Sequence, residues 1–144
     1  MKESIGQSWT IQIVAAFILL FVAFLTLMIS YSKCFKTKNE VISIIEKYEG
    51  MTSKSEKIIK DFLVSANYKG YGNCPTGYKG YEQVKNNRFK YCIKPNMVSD
   101  ATLVYYDVIM FYSFNLAAFG NIMTFEVKGR TIDLSSKYVS SLYF

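Results

Sequence analysis

The strongest hydrophobic pattern lies near the N-terminus, where residues 11–29 read IQIVAAFILLFVAFLTLMI. The run carries no charge, and its only polar side chains are Gln12 and Thr26. A helix of this length spans about 28 Å, close to the thickness of the bilayer hydrocarbon. A cleaved secretory signal would have a shorter apolar core and a small-residue cleavage site, which the following SYSK does not provide. The sequence predicts one retained transmembrane helix after a polar stub, residues 1–10.

Helical spacing continues beyond the apolar run. Val41, Ile44, Ile45 and Tyr48 recur at helical intervals within KNEVISIIEKYEG, and no proline or glycine interrupts the chain before Gly50. We therefore expect the helix to project from the membrane as an amphipathic extension, residues 30–50, capped by Gly50. The alternative, a buried core helix of a soluble protein, is disfavoured because so long an uncharged run is unusual in a small soluble domain.

Residues 51–144 are predicted to form one α+β domain that begins with a short second helix. Ser53-Lys54-Ser55-Glu56 fits a capping box, in which side chains satisfy the free amides at a helix start. An apolar stripe follows, made of Ile58, Ile59, Phe62, Leu63 and Ala66. Gly70 is the expected end of this helix.

Three later segments are rich in the residues that favour β-strands: RFKYCIK, TLVYYDVIMFYSF and NIMTFEVKGRTIDL. In the last of them Met123, Phe125 and Val127 alternate with polar residues, which indicates one buried and one wet face. We expect a small antiparallel sheet of three to four strands, with the second helix on its dry face. The apolar connection LAAFGN is expected to touch the membrane or a partner subunit.

The segment NYKGYGNCPTGYKGYEQ, between the second helix and the sheet, alternates glycines with tyrosines and is predicted to be loop. Tyrosines in a loop form either a binding surface or the cover of a small core, and the second case is more common. The first case defines an alternative function, a membrane-tethered module that binds a carbohydrate or envelope component through loop 68–81. Its candidate surface is Tyr68, Tyr71, Tyr78 and Tyr81.

Composition argues against catalysis and against a cofactor. The 144 residues include no histidine, which removes the usual general base and the commonest metal ligand. The three cysteines have no C-x-x-C spacing, so no zinc site is expected. The carboxylates of Glu82, Asp107, Glu126 and Asp133 form no recognisable motif. The net charge is +6, but the basic residues are scattered, so we expect no metal, no cofactor, no catalytic residue and no nucleic-acid partner.

The cysteines indicate on which side of the membrane the domain lies. A bond between Cys74 and Cys92 would close a loop of about 19 residues, worth about 3 kcal/mol, and would place the domain on the oxidising side of the membrane. Cys34, just after the span, is expected to be a lone thiol, with lipidation as the alternative. The positive-inside rule favours the opposite topology because of Lys33, Lys36 and Lys38. Since that rule is only a bias, we expect a single-pass plasma-membrane protein with an extracytoplasmic domain.

This layout resembles the type IV pilin-like proteins, and most of all the Tad-type minor pilins (the TadE-like family). The resemblance rests on the stub MKESIGQSWT with Gly6 before the apolar run, on the helix continuing to Gly50, and on the late strand FEVKGRTIDL. It implies a structural minor pilin or pseudopilin in a surface filament or a secretion or adhesion apparatus. The implied partners are membrane lipid and other pilin-like subunits or assembly machinery.

The resemblance also implies a processing site at Gly6 and Gln7. Pilin-like proteins carry a glutamate shortly after the processing glycine, where this chain has Ile11 and then Gln12. A carboxylate in lipid is costly unless a neighbouring subunit pairs with it, so its absence favours an accessory subunit over a polymerising major one. Subunits would associate through the membrane helices, where small residues allow close approach: Ala15, Ala16 and Ala23.

Overall fold

The structure, a computed structural model, describes residues 2–98, 102–116 and 120–135. It confirms the α+β class: a long apolar N-terminal helix, a second short helix and an antiparallel sheet. The helices are α1 (Lys2–Lys47) and α2 (Ser53–Ser65). The strands are β1 (Gly72–Asn73), β2 (Lys79–Lys85), β3 (Arg88–Met97), β4 (Leu103–Leu116), β5 (Gly120–Arg130) and β6 (Leu134–Ser135).

Helix α1 runs without interruption for 46 residues, which corresponds to about 69 Å. Residues 2–10, predicted as a stub, are part of this helix. The helix ends slightly before the predicted cap. Glu49 is the left-handed residue (φ 55°), and the Gly50 amide donates to the Ile45 carbonyl at 2.9 Å. This is a Schellman ending in which Gly50 follows the left-handed position instead of occupying it.

Helix α2 has the predicted kind of cap, shifted by one residue. The N-cap is Thr52, whose hydroxyl oxygen accepts from the Ser55 amide at 3.2 Å, while the Ser55 hydroxyl oxygen accepts from the Thr52 amide at 2.8 Å. At the other end, Asn67 is left-handed (φ 49°) and the Tyr68 amide donates to the Leu63 carbonyl. The helix therefore ends before Gly70, because asparagine also tolerates this conformation.

The sheet is antiparallel throughout, with β3 and β4 at its centre. Strand β4 pairs with β3 from Tyr91↔Met110 to Met97↔Val104, and with β5 from Asp107↔Arg130 to Leu116↔Gly120. Strand β2 pairs with β3, β1 with the start of β3, and β6 with the start of β4. The described sheet thus has six strands instead of the predicted three or four.

Strand β1 and most of β2 lie in the segment predicted to be loop. The glycines of this segment have a packing role that composition does not reveal. A Cβ at Gly80 would overlap the aromatic ring of Phe89, and one at Gly72 would lie 2.5 Å from the Phe111 ring. At both positions the absence of a Cβ leaves room for an aromatic ring, so these glycines occur within β structure here.

One face of the sheet packs on the C-terminal half of α1 and on α2. The predicted stripe of α2 is buried at Ile59 and Leu63, and α1 contributes Val41 and Ile45. The sheet supplies six fully buried side chains to this core: Tyr91, Ile93, Val104, Tyr106, Val108 and Met110. The predicted alternation in β5 also holds, with Val127 buried and its polar neighbours Glu126 and Lys128 exposed. The side chain of Met123 lies outside the described part.

The opposite face of the sheet carries a second, smaller core. Cys92, Ile109 and Phe111 are buried there, and Cys74 and Tyr78 of the connection between β1 and β2 pack against them. The glycine- and tyrosine-rich segment therefore packs against part of the outer face of the sheet.

Candidate functional site: the membrane segment and its junction with the sheet

The first half of α1 exposes a continuous apolar surface. Among the described residues, α1 is the helix that is long and apolar enough to cross a membrane. None of its most apolar stretch is buried against the rest of the protein. Trp9 is 66% exposed near one end and Tyr31 is 46% exposed near the other, about 33 Å apart along the helix. Aromatic side chains at this spacing match the two interfacial belts of a bilayer.

One face of this helix is less exposed than the others. Ala23, Leu27 and Ser30 are half-buried and lie on the stripe that leads into Cys34. Ala15 and Ala16 are exposed. The helix-packing residues predicted from the sequence therefore divide between the exposed apolar surface, with Ala15 and Ala16, and the half-buried face, with Ala23.

The junction between α1 and the sheet begins at Cys34. Its side chain is 1% exposed, and its sulfur lies 3.2 Å from the Tyr68 hydroxyl, which donates to the backbone oxygen of Phe111. Burial raises the pKa of the Cys34 thiol, so the thiol stays protonated and unreactive. Lipidation of Cys34 would require the sheet to leave the helix.

Lys38, one of the three lysines that follow the apolar run, is also part of this junction. Its side chain is 7% exposed, its ammonium lies 4.2 Å from the centre of the Phe35 ring, and its methylenes pack where a Cβ on Gly129 would be. A glycine inside a strand pattern indicates close approach of another element. Gly129 was therefore the available signal that β5 contacts the helix.

A second attachment joins the far end of α1 to the chain after β5. The Glu46 carboxylate accepts from the Ile132 amide at 2.9 Å. Next to it, the Thr131 hydroxyl oxygen accepts from the Tyr106 amide at 2.9 Å, which connects the same segment to β4. The sequence contained no pattern that identified Glu46. The sheet is thus attached to α1 at both ends of the packed stripe, near Cys34 and near Glu46.

The structure does not bring the four loop tyrosines to one surface. Tyr68 is 6% exposed and Tyr81 is 5% exposed, so both belong to the main core. Tyr71 and Tyr78 are half-buried, each with a basic group near its ring. Only these last two are accessible to a partner.

Buried tyrosines make the domain sensitive to alkali. The Tyr81 ring stacks on that of Tyr91 with centroids 5.1 Å apart, and burial raises the pKa of Tyr81 from 10.0 to about 12. A raised pKa means that the folded state favours the protonated phenol. This contribution to stability is complete below pH 10 and is lost as the pH rises from about 10 to 12. We expect tyrosinate absorbance to increase, and the near-UV circular dichroism signal to be lost, together in this window. In Tyr81→Phe, the loss of signal between pH 10 and 12 should be smaller. Free titration of Tyr81 near pH 10 without unfolding would contradict this.

The predicted disulfide is present between Cys74 and Cys92, whose Cα atoms are 5.6 Å apart. It fixes the connection between β1 and β2 on the outer face and brings Tyr78 against the second core. A cross-link at a sequence separation of 18 residues limits the unfolded chain and is worth about 3 kcal/mol in the chain-entropy model.

Beside this loop, a charged cluster crosses the outer face. The Asp107 carboxylate accepts from Arg130 Nε at 3.0 Å and from Asn96 Nδ2 at 2.6 Å, and the Arg130 guanidinium lies 4.2 Å from the centre of the Tyr105 ring. An open groove of about 380 Å³ runs between this cluster and Tyr78. Both oxygens of Asp107 are engaged, so the arrangement ties β3, β4 and β5 together.

The remaining predicted site residues are Gly6 and Gln7, which lie within α1 and are exposed. The Thr10 hydroxyl donates to the Gly6 carbonyl at 2.8 Å. In residues 2–98, 102–116 and 120–135, no three carboxylate or cysteine side chains lie close enough to hold a metal ion. No protein-family model matches this chain, and neither the curated proteins nor the solved structures include a match.

Proposed function

We propose that this chain is a membrane-anchored, pilin-like structural subunit, of the minor pilin or pseudopilin kind, in a surface filament or a secretion or adhesion apparatus. The observation that carries the proposal is the continuity of α1. Its first half is an exposed apolar span, and its second half is the helix on which the sheet packs. A generic anchored module would be expected to have a break or linker between the two.

The contacts between the sheet and the second half of α1 support this proposal. The sheet is attached to α1 near Cys34 and near Glu46. The position of the membrane helix therefore determines the position of the sheet domain. A subunit that packs by its helix and displays its sheet requires such a coupling. The alternative binding module through loop 68–81 receives less support, since Tyr68 and Tyr81 are buried.

The proposed role is non-catalytic and extracytoplasmic. The Cys74–Cys92 bond fits an oxidising compartment. The competing argument comes from the three lysines after the span, but the positive-inside rule applies mainly to short loops, and long domains are translocated largely regardless of charge.

The experiment is to shear filaments from cells that produce the chain, purify them and probe them for the sheet domain. We expect the chain in the filament fraction, and we expect Ala16→Leu to leave it in the membrane because a larger side chain prevents close helix approach. Leucine is at least as compatible with lipid as alanine, so insertion should be unaffected.

Ile18→Leu is the matched control, because it changes an exposed membrane residue at nearly constant volume. It should enter filaments like the wild-type chain. A wild-type chain that stays in the membrane fraction, unassociated with any other subunit, would overturn the proposal and favour the tethered module.

A further inference from the structure

Strands β4 and β5 form a hairpin that carries no charge over most of its length. From Val108 to Phe125 the sequence contains no Asp, Glu, Lys or Arg. The flanking charges are Asp107, which lies opposite Arg130 at the other end of the hairpin, and Glu126, which lies opposite Phe111 near its middle. Ion pairs join Asp107 to Arg130 and Glu126 to Lys128. A solvent-exposed hairpin end would normally carry charges, so this composition indicates an apolar environment.

The hairpin points toward the membrane end of α1. Near the start of β4, the Tyr106 hydroxyl lies close to Gly50, just beyond the end of α1. A Cβ built on Gly50 would be 2.8 Å from that hydroxyl oxygen. Six residues later, the Tyr112 ring meets the Tyr31 ring edge-on with centroids 5.9 Å apart. Strand β4 therefore runs antiparallel to α1, from the solvent end of the helix to the boundary of its apolar span.

The hairpin continues past that boundary. Strand β4 extends four residues beyond Tyr112 to Leu116, a further reach of about 13 Å. Strand β5 returns from Gly120 to Phe125, whose ring stacks on Tyr112 at 5.1 Å. On α1, the stripe facing this side is half-buried at Ala23, Leu27 and Ser30, in contrast to the exposed remainder of the span.

We propose that the distal part of this hairpin, residues 113–116 and 120–124, is a second membrane contact that lies in the interfacial layer of the bilayer beside α1. The unpaired backbone of β4 is the reason for placing the hairpin in the interfacial layer instead of the hydrocarbon. Pairing of β4 with β3 ends at Met110, so beyond this point one edge of β4 relies on polar surroundings that hydrocarbon does not supply. The interface offers water and headgroups to the backbone, and acyl chains to the apolar side chains.

Two membrane contacts on one rigid unit would fix the orientation of the domain. A single helix leaves rotation and tilt free, whereas helix and hairpin together define which sheet face turns toward the bilayer and which toward solvent. This inference requires the membrane span but not the filament role, so the two proposals can fail separately.

The test uses tryptophan as a depth probe in the full chain. The protein has one tryptophan, so Trp9→Phe gives a background without indole fluorescence. Leu116→Trp is introduced into that background, and the protein is reconstituted into phosphatidylcholine and phosphatidylglycerol vesicles with lipids brominated near the top of the acyl chains. Ile132→Trp is the matched control, since Ile132 is exposed and apolar but beside Glu46, about 22 Å along α1 from Tyr31.

We expect Leu116→Trp to lose about half or more of its emission to the brominated lipid, and Ile132→Trp to be unaffected. Asn121→Trp, on the returning strand, should behave like Leu116→Trp and serves if the latter does not fold. Equal, negligible quenching at both hairpin positions and Ile132 would overturn the proposal. Blue-shifted but unquenched emission would also overturn it, because the hairpin end would then contact protein instead of lipid.

Discussion

Replacing Gly70 with alanine is expected to lower the free energy of unfolding by about 2–4 kcal/mol. A Cβ at Gly70 would overlap the backbone oxygen of Phe111 and lie 2.7 Å from its carbonyl carbon and 3.0 Å from the Tyr68 hydroxyl. Because the obstacle is backbone of the central strand β4, the strand cannot move aside without disturbing its pairing with β5. The displaced segment should also lose the hydrogen bond from Tyr68 to Phe111.

Urea unfolding of the full chain in detergent, followed by near-UV circular dichroism, measures this loss. Gly6→Ala is the matched control, because a Cβ there meets nothing within 4 Å and alanine is a better helix former by about 1 kcal/mol. It should therefore be neutral or slightly stabilising. A Gly70→Ala chain that unfolds at the wild-type urea concentration would show that this segment does not pack on Phe111 as described.

The parts of the fold that follow a local period were predictable. The apolar run, the continuing helical spacing and the alternation in β5 each reflect one element packing one face, and the sequence records this directly. The bond between Cys74 and Cys92 was predictable for a different reason, since a loop fixed to a strand is where a small domain gains from a cross-link.

The parts that depend on distant residues were not predictable. Gly80 and Gly72 occur in strands because the rings of Phe89 and Phe111 lie over them, a fact that belongs to the tertiary structure. Tyrosine is equally suited to surfaces and to cores, so sequence alone could not separate buried Tyr68 and Tyr81 from half-exposed Tyr71 and Tyr78.

The exact ends of the two helices also depend on tertiary packing that the sequence does not show. Both α1 and α2 end on a left-handed residue that is not glycine, Glu49 and Asn67 respectively. In each case a later amide, from Gly50 or Tyr68, closes the helix by bonding back to a carbonyl. The tertiary packing of these following residues selects the end, so a glycine search placed it too late at both helices.

The junction on which the proposed function rests has a direct energetic test. Ile45→Ala should lower the free energy of unfolding by about 2–5 kcal/mol, the usual range for truncating a fully buried isoleucine. Ile45 is 0% exposed and lies on the α1 stripe that begins at Cys34. Its loss leaves a cavity between helix and sheet, and so weakens the contact that joins the apolar half of α1 to the domain.

Cys34 supplies the readout, because it is the free thiol among the described cysteines and is buried only while the sheet covers α1. Without reductant, a maleimide should label it slowly in the wild-type chain and about thirty- to a few thousand-fold faster in Ile45→Ala, if labelling follows the opening equilibrium. Ser43→Ala, at an exposed position of the same helix turn, should label at the wild-type rate. An unchanged rate in Ile45→Ala would mean that this stripe does not hold the sheet, and the pilin-like proposal would lose the continuity between span and domain that supports it.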